Sequence, residues 1–211
     1  NMNRENYVTT LYNTPFITNR ADPQVYRHFD GMYYFTASVP EYDRIVLRRA
    51  NCLKGLAEAE EKILWKRHLS GKQSIHIWAP ELHYLWGKWY IYYAAGDVDD
   101  IWAIRPYVLE CKGNDPFLDE WEELGQMQSA DGDEFSFQDF SLDATIMEHN
   151  EEYYYIWAEK TGTGKKISNL YIAVMERPNK LATPQVLLST PDYQWERIGF
   201  WVNEGPAVIK H

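Results

Sequence analysis

The chain repeats itself. Residues 22–37, 80–95 and 143–158 share one pattern, and residues 204–211 begin it again. In each full copy a short apolar run leads into a turn, at Asp30-Gly31, Trp86-Gly87 and Asn150-Glu151. A second run rich in Tyr, Ile and Trp follows. Polar or glycine dipeptides between apolar runs are hairpin signals. A third run comes next, at 45–48, 104–109 and 170–174, and a fourth at 61–65, 121–124 and 185–188. One unit is therefore about four antiparallel strands. Only residues 56–62 read as a helical turn or two.

The unit starts at 22, 80, 143 and 204 lie 58, 63 and 61 residues apart. Such a period fits a β-propeller, in which ~4–8 four-stranded blades surround an axis. A β-sandwich would show turn signals but no reason for Tyr- and Trp-rich second strands to recur in phase three times. The composition agrees: 16% of residues are aromatic, with 9 Trp, 16 Tyr and 8 Phe, and aromatic side chains favour pleated, stacked surfaces. The expectation is an all-β fold and a single propeller domain over residues 1–211. A closed ring needs more than three blades, so that domain reads as incomplete at the C-terminus.

Acidic residues open three of the units: Asp22, Asp143 and Glu204. The first strands of propeller blades line the axis, so equivalent positions converge at one end. Singly, each acid has an ordinary reading as a turn or cap residue. Jointly they would repel and lose hydration. Folding has no use for that, whereas cleavage of a glycosidic bond needs a carboxylic acid and a carboxylate facing each other across a sugar.

The motifs around these acids carry a resemblance. They are Arg20-Ala-Asp-Pro-Gln-Val, His76-Ile-Trp-Ala-Pro-Glu-Leu, Ser141-Leu-Asp-Ala-Thr-Ile and Asn203-Glu-Gly-Pro-Ala-Val. In this order and spacing the chain resembles glycoside hydrolase family 43, five-bladed propellers that act on arabinan and xylan side chains. The chain would cover about three and a half of the five blades. The resemblance implies an inverting hydrolase releasing α-L-arabinofuranosyl residues from arabinan, arabinoxylan or arabino-oligosaccharides. On matching positions, Asp22 resembles the general base, Glu204 the general acid, and Asp143 the residue that tunes and orients the acid. Trp78 matches a position near the substrate pocket, and Asp43 is a candidate for bonding sugar hydroxyls. The resemblance requires no cofactor but leaves room for a structural calcium or sodium ion at the axis, held partly by a histidine of the last blade. No metal ligand is assigned in this chain, because no histidine pair here has an HExxH-like spacing.

Other readings are a β-xylosidase of the same family and an inactive, sugar-binding propeller fragment. Fructan-cleaving propellers fit less well, since they carry Arg-Asp-Pro and Glu-Cys where this chain has Leu142-Asp143-Ala144 and Glu204-Gly205. The partner is expected to be carbohydrate. A net charge of −10 argues against nucleic acid, and no apolar run reaches the ~20 residues of a membrane helix. A ring that is open would associate with another chain through its bare edges. Cys52 and Cys111 are expected as buried free thiols rather than a disulfide. They and the lack of a leader lean towards the cytoplasm, whereas a polymeric substrate leans towards secretion.

Overall fold

A computed structural model of the protein describes residues 14–211. The repeats are separate antiparallel sheets. The first holds β1 (Ala21–Arg27), β2 (Tyr33–Ser38), β3 (Arg44–Ala50) and β4 (Lys62–Lys66) in that order. The second holds β5 (Lys72–Leu85), β6 (Lys88–Asp97), β7 (Asp100–Cys111) and β8 (Trp121–Gln126). The third holds β9 (Ser141–His149), β10 (Glu152–Thr161) and β11 (Ile167–Arg177). The two-residue β12 (Lys180–Leu181) and β13 (Val186–Ser189) both pair with β11. Chain order and space order coincide along β1–β4, β5–β8 and β9–β12, as in a propeller blade, with β13 alone off that path.

The hairpin turns have a local cause. Trp86 and Gly87 both have positive φ, as do Asn150 and Glu151. Two consecutive left-handed residues define the turn whose twist matches that of paired strands.

Strand β6 explains why the blades stack. Its odd residues Trp89, Ile91, Tyr93 and Ala95 join a core shared with Tyr34, Ile45 and Leu47 of blade 1. Its even residues Tyr90 and Tyr92 join a core shared with Tyr155, Trp157 and Tyr171 of blade 3. A period of two puts alternate residues on opposite faces, so a strand apolar at every position is buried on both. Blade 2 is sandwiched between its neighbours. The innermost strands touch in turn, β1 against β5 and β5 against β9.

Two expectations need correction. The helical turn falls at Lys54–Ala57, a single 3-10 turn, and residue 62 already belongs to β4. Both cysteines are free, but only Cys111 is buried; Cys52 is exposed. Beyond β13 the chain forms no named strand. A 3-10 turn at Gln194–Arg197 and a bridge between Val202 and Ser168 lead to Glu204.

Candidate active site

The innermost strands share a kink at the same step. Asp22 in β1, Ala79 in β5 and Asp143 in β9 have φ of 49°, 47° and 57°. Strand pairing slips at each point, between Ala21 and Gln24, between Trp78 and Glu81, and opposite Leu142 to Thr145. Gly205, with φ of 63°, takes the same conformation in the fourth segment. A left-handed L-residue costs about 1–2 kcal/mol. The return is direction: the kink turns the side chain out of the alternating pattern and towards the axis.

The structural register revises the sequence alignment of blade 2. Ala79, not Pro80, is the counterpart of Asp22 and Asp143, so this blade contributes no acid at the kink. Its carboxylate arrives two residues later as Glu81. The cleft at the kinks, about 240 Å³, is lined by Asp22, Ala79, Glu81, Asp143, Gly205 and Pro206, among others. It is not the largest hollow. One of about 550 Å³ lies at the opposite end of the blades, beside Phe29, Tyr84 and Asp115. Volume does not identify the site; the convergence of carboxylates does.

Hydrogen bonds tie the blades together at this point. The Ala79 N–H donates to Ser38 Oγ at 2.8 Å, and Ser38 Oγ donates to Asp22 Oδ2 at 3.0 Å. The Gly205 N–H donates to Asp143 Oδ2 at 3.1 Å. One level deeper, the Gln24 amide bonds both the N–H and the C=O of Leu82. Thr145 Oγ1 donates to Glu81 Oε1 at 2.8 Å, which also meets His83 Nε2 at 2.9 Å. Asp22, Glu81 and Asp143 are thus each anchored from a neighbouring strand or blade. Ser38, Glu81 and Thr145 escaped the sequence reading. Their signal was positional, since Gln24, Glu81 and Thr145 each stand two residues after a kink.

The acids feel one another. Burial, then the charges of Glu204 and Asp22, push Asp143 up to about 7, against the opposing pull of the Gly205 N–H. Glu204 is raised too, first by desolvation and then by Asp22, with Lys160 opposing. Glu204 is an exposed residue and Asp143 a half-buried one, so the larger shift belongs to the deeper Asp143. Carboxyls coupled in this way titrate as a cluster, and this one keeps a shared proton near neutrality.

Asp22, Asp143 and Glu204 are therefore brought together. Trp78 precedes Ala79 in the chain but does not line the cleft; it packs on Ala94, Ile104, Leu142 and Ala158 and stacks on His76. Asp43 is not in the cleft; it lines a neighbouring hollow and pairs with Arg44 at 2.8 Å. Among the described residues no group of three or more His, Cys, Asp or Glu is placed to hold a metal ion.

Known proteins agree with this architecture. The extracellular exo-α-(1→5)-L-arabinofuranosidase of Streptomyces chartreusis is 47% identical over 94% of this chain and 59% of its own length. α-L-Arabinofuranosidase 43 of Humicola insolens is 47% identical over 97% of this chain and 40% of its own. The crystal structure of an α-L-arabinofuranosidase from Lactobacillus brevis superposes with a TM-score of 0.84 at 47% identity, covering 93% of this chain and 62% of that one. A thermostable family-43 glycoside hydrolase, at 23% identity and a TM-score of 0.68, shares the fold. The chain spans less than two thirds of the length of these relatives. Its three blades and the start of a fourth are those of a five-bladed propeller. The profile of glycosyl hydrolases family 43 matches residues 12–211, and the chain belongs to that family.

Proposed function

We propose that the protein carrying this chain is an inverting α-L-arabinofuranosidase that removes terminal arabinofuranosyl residues from arabinan, arabinoxylan or arabino-oligosaccharides. The observation that carries this reading is the convergence of three carboxyls from three blade segments: Asp22 and Asp143 line one cleft, and Glu204 stands next to the Gly205 that lines it and acts on Asp143 through its charge. The names of the relatives at 42–47% identity support the substrate.

The chemistry divides among these residues. Glu204 gives its proton to the glycosidic oxygen as the bond breaks. Asp22, held by Ser38, takes a proton from a water that attacks the anomeric carbon from the opposite face. The product leaves with inverted configuration, Asp22 protonated and Glu204 ionised, and solvent exchange restores both. Asp143 works through the acid: its charge favours the protonated form of Glu204, and its bond to the Gly205 N–H fixes the peptide that follows the acid. Inversion requires a gap of ~6.5–9.5 Å between base and acid to admit the water, which a rigid ring of separate blades can hold.

The exposed apolar side chains Leu187, Tyr193, Trp195, Phe200 and Ile209 lie on blade 3 and after it. On this reading they meet the remaining blades, or another chain that closes the ring. Two Streptomyces relatives are named extracellular. That favours secretion over the cytoplasmic location towards which the sequence leans.

The test is Glu204→Gln. Release of arabinose from arabino-oligosaccharides should fall about 10²–10⁴-fold, with a much smaller loss on an aryl arabinofuranoside whose leaving group needs no proton. Equal losses on both would remove Glu204 as the acid. Faster turnover of the aryl xyloside than of the arabinofuranoside would favour the β-xylosidase reading.

A further inference from the structure

Strand β5 is more distorted than a catalytic kink requires. β1 and β9 slip register once each, but β5 slips three times, at Lys72/Ile75, Ile75/Trp78 and Trp78/Glu81. Gln73, His76 and Ala79 are left-handed at every third residue, with φ of 63°, 54° and 47°. Only the last of these faces the cleft. Strain of this kind persists where its surroundings hold it and gathers at functional sites.

The extra kinks build an aromatic run. The His76 ring lies 4.4 Å from Trp78 at 25° and 5.6 Å from Trp102 at 33°. Ile101 O meets His76 Nδ1 at 3.0 Å and locks the imidazole. Tyr42 closes edge-on against Trp78 at 6.0 Å. Trp102 is 61% exposed, and neither it nor His76 belongs to a core cluster among the described residues. Stability of the blade therefore does not explain this indole. Beside the run lies a hollow of about 560 Å³ whose rim carries Glu41, Tyr42, Asp43 and His76.

We propose that His76 and Trp102, continuing from Trp78, form the binding site for the part of the substrate beyond the scissile bond: the second and third arabinofuranose units of an arabino-oligosaccharide. This rests on the arabinofuranosidase reading above. The run begins beside Ala79 at the cleft, and the three residues back to His76 span at most about 10 Å, the reach of the next sugars along a chain. Furanose rings offer C–H faces to flat rings, and rigid aromatic platforms hold such faces with little loss of freedom. Acceptors at the rim, Asp43 and Glu41, suit the hydroxyls. Asp43 thereby takes a place outside the catalytic cleft but on the path out of it.

The experiment measures binding, so it does not depend on turnover. In a Glu204→Gln background, arabinotriose, xylotriose and arabinose are titrated calorimetrically into the otherwise unsubstituted chain and into Trp102→Ala, Trp102→Phe and His76→Ala. Trp102→Ala should weaken arabinotriose about tenfold and leave arabinose unchanged, with Trp102→Phe recovering most of the loss. His76→Ala should act in the same direction. Unaltered arabinotriose binding in Trp102→Ala, or xylotriose binding as tight as arabinotriose, overturns the proposal. Failure of the unsubstituted chain to release arabinose, with the triose still lost in Trp102→Ala, overturns the enzymatic reading and leaves the site standing.

Discussion

Asp143 and Glu159 sit on neighbouring strands of one blade, and both are pushed up to about 7, first of all by burial. Their surroundings are opposite in kind. Around Asp143 the further influences are mostly other carboxylates, Glu204, Asp22 and Glu81, with a single N–H in opposition. Around Glu159 every further influence favours the charge: Trp157 Nε1 at 2.9 Å, the Phe137 N–H at 2.8 Å, the Asp139 N–H, and Arg105. Glu159 is a buried acceptor that fastens the 137–139 loop to the blade. Asp143 is a group crowded by its own kind. The same value arises from a structural tie and from a reactive cluster, so a shifted carboxyl points to chemistry only when its neighbours are named as well.

Substitution separates the two. Asp143→Asn removes a carboxyl coupled to Glu204, and on the arabinofuranosidase reading arabinose release should drop about 10²–10⁴-fold while the fold survives; initial-rate assays beside a circular dichroism melt would check this. Glu159→Ala should leave turnover within a few-fold but strand two buried donors, at a cost of about 1–3 kcal/mol each. Its pH dependence has a definite sign. Folded Glu159 holds its proton to about 7, whereas its ordinary value is 4.5. Between those values the folded state binds the extra proton, so the stability it contributes is full below the window and falls as pH rises through it. The gap between the unsubstituted chain and Glu159→Ala should therefore narrow from pH 5 to pH 8 in urea denaturation. A gap that fails to narrow would mean the folded carboxyl is ionised throughout. Smallest is Ala79→Gly, at the kink without an acid: relief of the left-handed φ should raise stability by up to about 1 kcal/mol, visible as a small rise in melting temperature.

The parts legible in the sequence follow from this contrast. The run 89–95 is apolar at every position, and a strand with both faces buried has to read that way. Asp22 and Asp143 were legible because each opens a repeat at its kink, and Glu204 because it stands one residue before the kink at Gly205. The kinks were not, since alanine has no preference for left-handed backbone, and the copy at Ala79 was aligned one residue late. Ser38 closes its strand with nothing to set it apart from any other serine; only Asp22 on one side and the Ala79 N–H on the other give it work. Asp43 was read as a sugar ligand from its loop, and the fold sets it beside Arg44 in the adjoining hollow. His76 and Trp102 come from different strands, and their stacking depends on slips that leave no mark in periodicity.

The kinks at 22 and 143 also bear on how such a protein could age. Backbone held at φ near 50° tolerates asparagine, aspartate and glycine far better than valine or isoleucine. A descendant with no further need of those two carboxylates would still have to fold through those two bends. Its expected relics are Asn or Gly at both positions, a scar by which a retired copy could be told from a working one.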